Sequence, residues 1–191
     1  MSKEPMEKLR DEIRKVQDAK RFEHTLGVTY TAACLAMCYD AEIRQAEIAG
    51  LLHDCAKCLP NEKKIRLCEK NHIEIKEVEF KNPFLLHAKV GAFLAEKEYG
   101  IKDADILNAI RFHTTGRPEM SLLEKIIFIA DYIEPGRNHS EYLPEIRRLA
   151  FTDLDAALKR ILSDTLDHLQ HSDKEIDPMT KCTYEYYCSI T

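Results

Sequence analysis

The stretch Ile48-Ala49-Gly50-Leu51-Leu52-His53-Asp54 places an adjacent histidine and carboxylate at the end of an apolar run in a chain of 191 residues. The apolar residues predict a buried segment, and burying an ionisable pair is costly unless something compensates the charge. Buried carboxylates are normally paired with a cation or bound to a metal ion. The stretch therefore predicts a polar site inside a hydrophobic core.

Four further candidate ligands lie on helix-like segments with apolar neighbours, namely His24, His87, His113 and Asp131. Taken alone, a buried histidine is usually a hydrogen-bonded core residue, and Asp131 could simply face a loop donor. Six such side chains at the apolar edges of five helices are hard to explain as independent accidents. The set predicts a metal centre in the middle of a helical bundle, because imidazole and carboxylate are common metal ligands.

Apolar residues recur at three- and four-residue spacing along almost the whole chain, as they do from Met6 through Leu9 to Ile13. This spacing places apolar side chains on one face of a helix. Residues 60–82 are more polar and are expected to hold short helical pieces at most. The sequence therefore predicts an all-α fold, a helical bundle with the candidate metal centre in its middle.

Local signals predict where several helices begin and end. The apolar run is expected to belong to a helix from Ala41 to about Ala56 that stops at Leu59-Pro60. Ser121-x-x-Glu124 is a capping box, in which each side chain bonds to the backbone amide of the other residue. Thr152-x-x-Asp155 is expected to begin the last long helix, and the helical pattern ends near residue 171.

Composition indicates one domain over residues 1–191, with a core at about 20–170 and a C-terminal tail at 172–191. A formal net charge of −5 without a Lys/Arg block argues against a nucleic-acid partner or an anionic membrane surface. No apolar run approaches the roughly 18 residues of a membrane span, and the N-terminus lacks the apolar segment of a signal peptide. We therefore expect a cytoplasmic protein, and the apolar face of the last long helix leaves a homodimer open.

Seven cysteines are scattered along the chain. Most lie at apolar positions of helices, where a free thiol behaves as a small hydrophobic side chain. Cys55 and Cys58 form a Cys-x-x-Cys pair, but a structural zinc site would need a second pair. Neither a closed zinc site nor a redox pair is expected.

Two mixed nitrogen and oxygen sites can be built from the six candidate ligands. The first would contain His24, His53, Asp54 and Asp131, and the second His87 and His113 with Asp54 as a bridge. Such ligands suit zinc, iron, copper or nickel, and carboxylate with water also admits manganese and magnesium. Two ions roughly 3.5–4 Å apart can clamp both sides of a phosphoryl displacement and lower the pKa of bound water.

Basic residues follow or precede several of these ligands within six positions, namely Arg21, Lys57, Arg117 and Arg137. A guanidinium group can hold two phosphate oxygens in a bidentate fork. Arg117 also follows a turn of small residues whose hydroxyls and amides could approach a phosphate. The recurrence of a basic group beside a metal ligand predicts a polyanionic substrate.

The pattern of His24, His53-Asp54, His87, His113 and Asp131 resembles the HD superfamily of metal-dependent phosphohydrolases. Three longer segments look like the bacterial YqeK group within it, namely LLHDCAK at 51–57, NAIRFHTTGR at 108–117 and LLEKIIFIADYIEPGR at 122–137. The resemblance covers roughly residues 20–170. It implies an HD-type helical bundle and the symmetrical hydrolysis of diadenosine tetraphosphate to two ADP by a metal-activated water. It also implies one or two iron ions, with manganese or another divalent transition metal as an alternative.

The same resemblance assigns roles to residues of this chain. The primary metal ligands would be His24, His53, Asp54 and Asp131, while His87 and His113 match positions that contact a second metal or the phosphates. Asp54 and Lys57 would act in catalysis. The remaining substrate contacts would come from Arg21, Lys57, Thr114 and Arg137, and from the C-terminal segment Asp177, Pro178, Met179 and Thr180.

Three other functions are consistent with the same residues. Another HD phosphohydrolase could act there on a nucleoside monophosphate, a nucleoside triphosphate or a signalling nucleotide. HD-type di-iron oxygenases share six ligands of this pattern, and a nucleotide sensor would bind without turnover. The products formed, the oxygen consumed and the presence of turnover distinguish these functions.

Overall fold

The computed structural model describes residues 5–170 and 175–190, and every regular element in these two ranges is helical. The α-helices are α1 (Pro5–Val16), α2 (Ala19–Cys38), α3 (Ile43–Leu52), α4 (Asn61–Lys70), α5 (Glu77–Lys81), α6 (His87–Lys97), α7 (Ala104–Phe112), α8 (Leu122–Ile133), α9 (Leu143–Ala150), α10 (Leu154–Gln170) and α11 (Pro178–Ser189). A 3-10 turn, Pro83–Leu86, leads directly into α6. The prediction of an all-α fold is confirmed. Residues 172–174 and 191 of the expected tail lie outside the described residues.

The helices that supply the candidate ligands surround one hydrophobic core. α2 packs on α3 and α8, while α7 packs on α3, α6 and α8. Leu35, Leu52, Ile110 and Ile127, one from each of α2, α3, α7 and α8, are completely buried. Full burial of such a side chain contributes roughly 1.5–3 kcal/mol, so these helices form a firm framework for the site. None of the helices in the described part of the chain is long and apolar enough to cross a membrane.

The backbones of α2 and α3 lie in close contact at Gly50. A Cβ atom at this position would lie 2.9 Å from the Cα of Thr29, which is backbone and cannot easily give way. The glycine therefore lets the C-terminal half of α3 lie directly on α2. As a result the rings of His24 and His53 come within 5.4 Å of each other, measured between centroids.

The helix expected from Ala41 to about Ala56 is shorter in the structure, because α3 ends at Leu52 and residues 53–58 form consecutive turns. The carbonyl of Gly50 accepts a hydrogen bond from the ring Nδ1 of His53 at 2.6 Å. This side-chain bond competes for the acceptor that the next turn of an α-helix would use. The apolar pattern alone gives no sign of that competition.

Residues 60–82 contain more helix than the sequence predicts, because α4 is ten residues long. The prediction of short helical pieces at most was wrong for this helix. α4 buries Cys68 and Lys64, which are a small thiol and a long cationic side chain. Neither residue contributes to a strong apolar period, although the stem of a lysine packs well against apolar surface.

Only one of the two hydrogen bonds of the capping box predicted at Ser121-x-x-Glu124 is present. Ser121 Oγ accepts the amide of Glu124 at 3.1 Å and caps α8. The Glu124 carboxylate instead accepts two hydrogen bonds from Arg117, at 2.8 and 2.7 Å. The reciprocal bond of a capping box is lost because this guanidinium is the stronger donor.

The start of α10 also differs from the prediction at Thr152-x-x-Asp155. The helix begins at Leu154, and Asp153 Oδ1 accepts the amide of Ala156 at 2.9 Å. Thr152 Oγ1 donates instead to the carbonyl of Arg148 at 3.1 Å, so it belongs to the turn after α9.

The expected tail is not irregular over residues 178–189, where it forms α11 on the surface of α10. Asp177 caps this helix by accepting the amide of Met179 at 2.9 Å. Tyr187 is 2% exposed, and its hydroxyl accepts the amide of Met120 at 2.9 Å. The helix buries Thr180, Thr183 and Tyr187, and this partly polar face gives little apolar periodicity.

Candidate metal centre

Six predicted ligands meet between the ends of five helices. They are His24 from α2, His53 at the end of α3, Asp54 in the turn that follows, His87 at the start of α6, His113 at the end of α7, and Asp131 in α8. Asp54 and three of the histidine rings are almost completely buried. Because the six ligands come from five packed segments, the arrangement depends on the whole bundle.

Asp54 lies at the centre of the cluster, and its two oxygens face different histidine pairs. Oδ2 lies 3.6 Å from Nε2 of His53 and 4.0 Å from Nε2 of His24. Oδ1 lies 3.4 Å from Nε2 of His87 and 3.5 Å from Nε2 of His113. A carboxylate placed in this way can bridge two cations, one on each side.

Asp131 closes the side that contains His24 and His53. Its Oδ1 lies 3.0 Å from Nε2 of His24 and 3.8 Å from Nε2 of His53. Burial acts to raise the pKa of Asp131, but the close contact with His24 and the nearby His53 and Arg137 outweigh it. The pKa of this carboxyl is therefore held well below its usual value, and the group is ionised at neutral pH.

Three of the histidine rings are fixed by the same local contact, in which Nδ1 bonds to the carbonyl three residues earlier in the chain. The pairs are His53 with Gly50 at 2.6 Å, His87 with Phe84 at 2.7 Å, and His113 with Ile110 at 2.7 Å. A carbonyl oxygen only accepts, so Nδ1 carries the proton in each ring. In the neutral ring this leaves the Nε2 lone pair facing the centre, which is the form that binds a metal.

His24 is oriented by a carboxylate instead. Its Nδ1 lies 3.0 Å from Oε1 of Glu134, and Oε2 of Glu134 accepts the amide of Gly136 at 2.6 Å. A Cβ atom on Gly27 would lie 2.6 Å from that Oε2, so the glycine leaves room for the carboxylate. Glu134 was not among the residues of the site that were predicted from the sequence. The available signal was its place one helical turn after Asp131.

Burial determines the protonation of two of the rings. It lowers the pKa of His53 to about 4, against the opposing effect of the Asp54 and Asp131 carboxylates. Burial, followed by the ammonium group of Lys57, also holds the pKa of His87 well below its usual value. Both rings are therefore neutral at pH 7.

The pKa of Asp54 is held well below the usual value for an aspartate. Burial acts to raise it, and the surrounding His53, His113, His87 and Lys57 outweigh that effect. The centre therefore combines the ionised carboxylate of Asp54 with the neutral rings of His53 and His87.

Several buried atoms of the centre fit a divalent cation. Within the part of the chain that the structure describes, His53 Nε2 and Asp54 Oδ1 are buried without a hydrogen-bond partner. Nε2 of His87 and Nε2 of His113 face each other at 3.3 Å although both rings donate through Nδ1. Two lone pairs at this distance repel each other unless a positive charge lies beside them, and the ammonium group of Lys57, 3.0 Å from Nε2 of His87, is such a charge. The unpartnered nitrogen of His53 and oxygen of Asp54 are therefore the atoms that fit a metal ion.

Two groups of ligand atoms lie close enough together to share an ion, within 4.8 Å of one another. They are His24, His53 and Asp131 on one side, and His53, Asp54 and His113 on the other. Nitrogen and carboxylate oxygen donors of this kind suit divalent transition metals.

Three basic side chains contact the carboxylates of the centre. Arg21 Nη1 lies 2.8 Å from Asp54 Oδ2, and Arg137 Nη2 lies 2.6 Å from Asp131 Oδ1. Lys57 Nζ lies 3.9 Å from Asp54 Oδ1 on the other side. Each of the three is about one-third exposed, so they form the boundary between the buried centre and solvent.

An open cleft of about 640 Å³ adjoins this boundary on the His24 side. Its lining includes Lys20, Arg21, His24 and Arg137, together with the Pro135-Gly136 turn after α8. The cleft therefore connects a candidate metal ligand with three cationic side chains.

The remaining predicted substrate contacts are distributed over two places. Thr114, Asp177 and Met179 line one narrow cleft together with the start of α6. Pro178 is exposed, whereas Thr180 is 4% exposed and packs inward.

Arg117 and Cys55 contact structural neighbours, whereas the expectation that most cysteines act as small hydrophobic side chains was wrong, because five of the seven are exposed. The guanidinium of Arg117 is engaged by Glu124 and stacks over the ring of Phe112 at 5.4 Å. Cys55 is a buried free thiol whose pKa is raised to about 12 by burial and then by Asp54, so it does not form a thiolate at neutral pH.

Comparison with known proteins places this centre in a family. Residues 21–136 match the HD domain. The symmetrical bis(5'-nucleosyl)-tetraphosphatase of Bacillus subtilis is 43% identical over 169 residues, which are 88% of this chain and 90% of that protein. The enzyme of the same name from Halalkalibacterium halodurans is 44% identical and covers 86% of this chain and 87% of its own length. The one from Staphylococcus aureus is 38% identical, over 88% of this chain and 87% of that protein.

A crystal structure from Clostridium acetobutylicum has the same fold. It is described as a "predicted HD superfamily hydrolase involved in NAD metabolism" and superposes with a TM-score of 0.94 at 44% identity. The match covers 97% of this chain and 98% of that one. The HD-domain match spans the segment that contains all six candidate ligands. With these relatives along most of its length, the chain belongs to the HD superfamily of phosphohydrolases and to its YqeK-type branch.

Proposed function

We propose that this protein hydrolyses diadenosine tetraphosphate symmetrically, to two molecules of ADP, with the help of a divalent metal. One observation carries the proposal: the two oxygens of Asp54 face two separate groups of buried ligands, beside three cations. Relatives about 40% identical over most of the chain are named for this activity. The alternative nucleotide substrates and the oxygenase reaction have no comparable support.

The metal that we propose is iron, as one or two ions, with manganese or another divalent transition metal as an alternative. The ligand set is nitrogen and oxygen without thiolate, which admits all of these ions. When bound, such an ion supplies an activated water near neutral pH and neutralises charge on the phosphate oxygens.

The first set of ligands would be His24, His53, Asp54 and Asp131. His87 and His113 would hold a second ion or contact a phosphate oxygen. Their Nε2 atoms face Asp54 Oδ1, and the carbonyl contacts of Nδ1 keep both rings in that orientation. These ligands are held in place before any substrate arrives.

The basic residues would bind and orient the phosphate chain. Arg21 and Arg137 neutralise the carboxylates of the centre and project into the 640 Å³ cleft, where their remaining donors can reach phosphate oxygens. Lys57 lies on the opposite side of Asp54 and can stabilise the negative charge that develops on the leaving ADP. Thr114, Asp177 and Met179, which line the narrow cleft beside the start of α6, would contact the nucleotide.

A chromatographic product assay tests this function. The protein is reconstituted anaerobically with ferrous iron, and in parallel with manganese, and is given diadenosine tetraphosphate. We expect ADP as the sole product, and no turnover from the His53→Ala variant. The exposed His72→Ala variant is the matched control and should keep full activity. AMP together with ATP, or no product while metal is bound, would overturn the proposed substrate.

The position of Asp54 gives a second test of the same site. Asp54→Ala should lose turnover and metal together, because both groups of ligands depend on this carboxylate. Atomic emission measures the metal content, and an assay of the same sample measures the activity. Together they show whether metal and turnover are lost together. Retention of metal and activity by this variant is incompatible with the proposed centre.

A further inference from the structure

A second groove lies on the surface beside the proposed phosphate cleft. We call it the Tyr30–Phe151 groove; it has a volume of about 510 Å³, and its lining includes Tyr30, Thr31, Cys34, Ile133, Pro135 and Phe151. Tyr30 is 54% exposed and Phe151 is 43% exposed, so two aromatic side chains face solvent here. A groove of this size and apolar lining is within the range of small-molecule sites, roughly 300–1,000 Å³.

The groove and the cleft are continuous. Gly27 and Pro135 line both of them. Gly27 has no side chain to separate the two spaces, and a Cβ atom there would collide with Glu134. His24 and Thr31 lie seven residues apart on α2, which corresponds to roughly 10 Å along the helix axis. The groove therefore begins at Gly27, about one helical turn from His24, and at Thr31 it reaches about one nucleotide's length from the metal centre.

One wall of the groove is held firmly in place. Arg147 Nε donates to the carbonyl of Ile133 at 2.9 Å. Its Nη2 donates to the carbonyls of Glu134 and Arg137, at 3.0 and 2.9 Å. These bonds fix the Pro135 turn against α9, so the groove is formed before a ligand binds.

We propose that the Tyr30–Phe151 groove binds one of the two nucleosides of the dinucleotide substrate, with its purine base against the aromatic side chains. This inference rests on the proposed function. A purine presents a flat apolar face that stacks on tyrosine and phenylalanine. Its phosphates would then extend past Gly27 toward Arg21 and Arg137. The groove thus gives the base an apolar site where the cationic cleft ends.

Truncation of the aromatic side chains tests the groove. Tyr30→Ala and Phe151→Ala should each raise the KM for diadenosine tetraphosphate about tenfold, the order expected for loss of one stacked base, and leave kcat within about twofold. Both residues are exposed, so the variants should fold normally. Phe80→Ala, which removes an aromatic side chain that is 67% exposed on α5, is the matched control and should leave KM unchanged.

A ligand without bases separates the groove from the phosphate cleft. Inorganic tetraphosphate should inhibit the wild type and both groove variants with the same inhibition constant, because it has no base to place in the groove. Equal losses of affinity for tetraphosphate and for the dinucleotide would overturn the inference. An unchanged KM for the dinucleotide would also overturn it, whether or not the oligomeric state of the variants is altered. Failure of the wild type to form ADP would contradict the proposed function instead.

Fluorescence offers a readout that does not depend on turnover. The chain has no tryptophan, so Phe151→Trp introduces a single reporter into the groove. Diadenosine tetraphosphate with a methylene group in place of the central bridging oxygen cannot be cleaved at that position. Its binding should quench the tryptophan by base stacking, whereas inorganic tetraphosphate should not. Binding of the analogue by calorimetry without quenching would show that the base lies elsewhere.

Discussion

Glu134 determines the orientation of His24 in the proposed metal centre. The carboxylate only accepts hydrogen bonds, so Nδ1 of His24, 3.0 Å away, carries the proton. Nε2 is then the atom that faces Asp131, and Arg137 Nη2, a donor, lies 3.4 Å from it. Partners of this kind, behind the ligand, raise its basicity and hold its orientation.

Glu134→Gln should weaken metal binding about 10- to 100-fold, because it removes the negative charge beside Nδ1 of His24. The amide group can also turn its NH2 toward Nδ1, and it then accepts no hydrogen bond from the ring. Calorimetric titration of the metal-free protein with manganese measures the change. Glu145→Gln, an exposed glutamate on α9, is the control and should bind as the wild type does. An unchanged affinity in Glu134→Gln would mean that the tautomer of His24 is set by other contacts.

Arg117 was predicted to lie near a phosphate, but in the structure it stabilises the fold. Its guanidinium holds both oxygens of Glu124, whose side chain is 1% exposed. Breaking a buried pair by removing one partner leaves an uncompensated charge. Arg117 is therefore part of the fold at the start of α8, although it follows His113 by only four residues.

Arg117→Ala should lower the free energy of unfolding by about 3 kcal/mol, because it leaves the Glu124 carboxylate buried without its partner. Urea denaturation measures the loss. The double variant Arg117→Ala/Glu124→Gln should recover much of it, since the buried charge is then removed. If Arg117→Ala instead keeps its stability and raises KM, the residue belongs to the substrate site.

The sequence alone predicted the side chains of the centre but not their partners. His53-Asp54 stands out because a polar pair interrupts an apolar run, and this contrast is visible in one dimension. The pairing of Glu134 with His24 joins residues 110 positions apart, and it depends on how α2 meets α8. Local spacing contains no information on such contacts, so Glu134 was missed and Arg117 was placed near phosphate.

At the scale of elements, His53, His87 and His113 lie at helix ends. α3 stops at Leu52 because the ring of His53 takes the carbonyl of Gly50. The same Nδ1 contact fixes His113 at the end of α7. The ligand rings themselves therefore help to end the helices, which explains why the periodicity of apolar residues predicted a longer α3.

The close approach of α2 and α3 at Gly50 gives an element-scale prediction. Gly50→Ala places a Cβ atom 2.9 Å from the Cα of Thr29, so the two helices must separate. We expect a loss of about 1–3 kcal/mol in unfolding free energy, as for other overpacked contacts, and weaker metal binding because His53 moves away from His24. Urea denaturation and manganese titration measure the two effects. Arg44→Ala, at an exposed position of α3, should change neither.

At the scale of the molecule, the centre concentrates ionisable groups in the middle of the bundle. The cost of burying them is distributed over α2, α3, α6, α7 and α8, which all pack on one core. The overall helical architecture was predictable because it follows from apolar periodicity. α11 was not, because the face that it buries includes Thr180 and Thr183. In a bundle assembled around such a site, protonation of the ligands is linked to folding.

The titration of His53 determines whether the free energy of unfolding rises or falls with pH. Burial lowers its pKa in the folded protein to about 4, from a usual value of 6.5. Below pH 6.5 the unfolded chain takes up a proton at this ring, whereas the folded chain stays neutral until about pH 4. Unfolding free energy therefore falls as the pH falls through this window. The pKa of Asp54 is also lowered, so its ionised form contributes to stability. That contribution is lost only when the pH falls below the usual pKa of an aspartate, which is outside this window.

Metal-free protein should thus lose about 2 kcal/mol of unfolding free energy on account of His53 alone between pH 7.5 and pH 5, with a further loss from His87. Urea denaturation at the two pH values, in the presence of a chelator, measures the loss. His53→Asn should show a smaller pH dependence because the titrating ring is gone. His72→Asn, at an exposed histidine, should keep the full dependence. Equal dependence in wild type and His53→Asn would show that the buried ring does not couple protonation to folding.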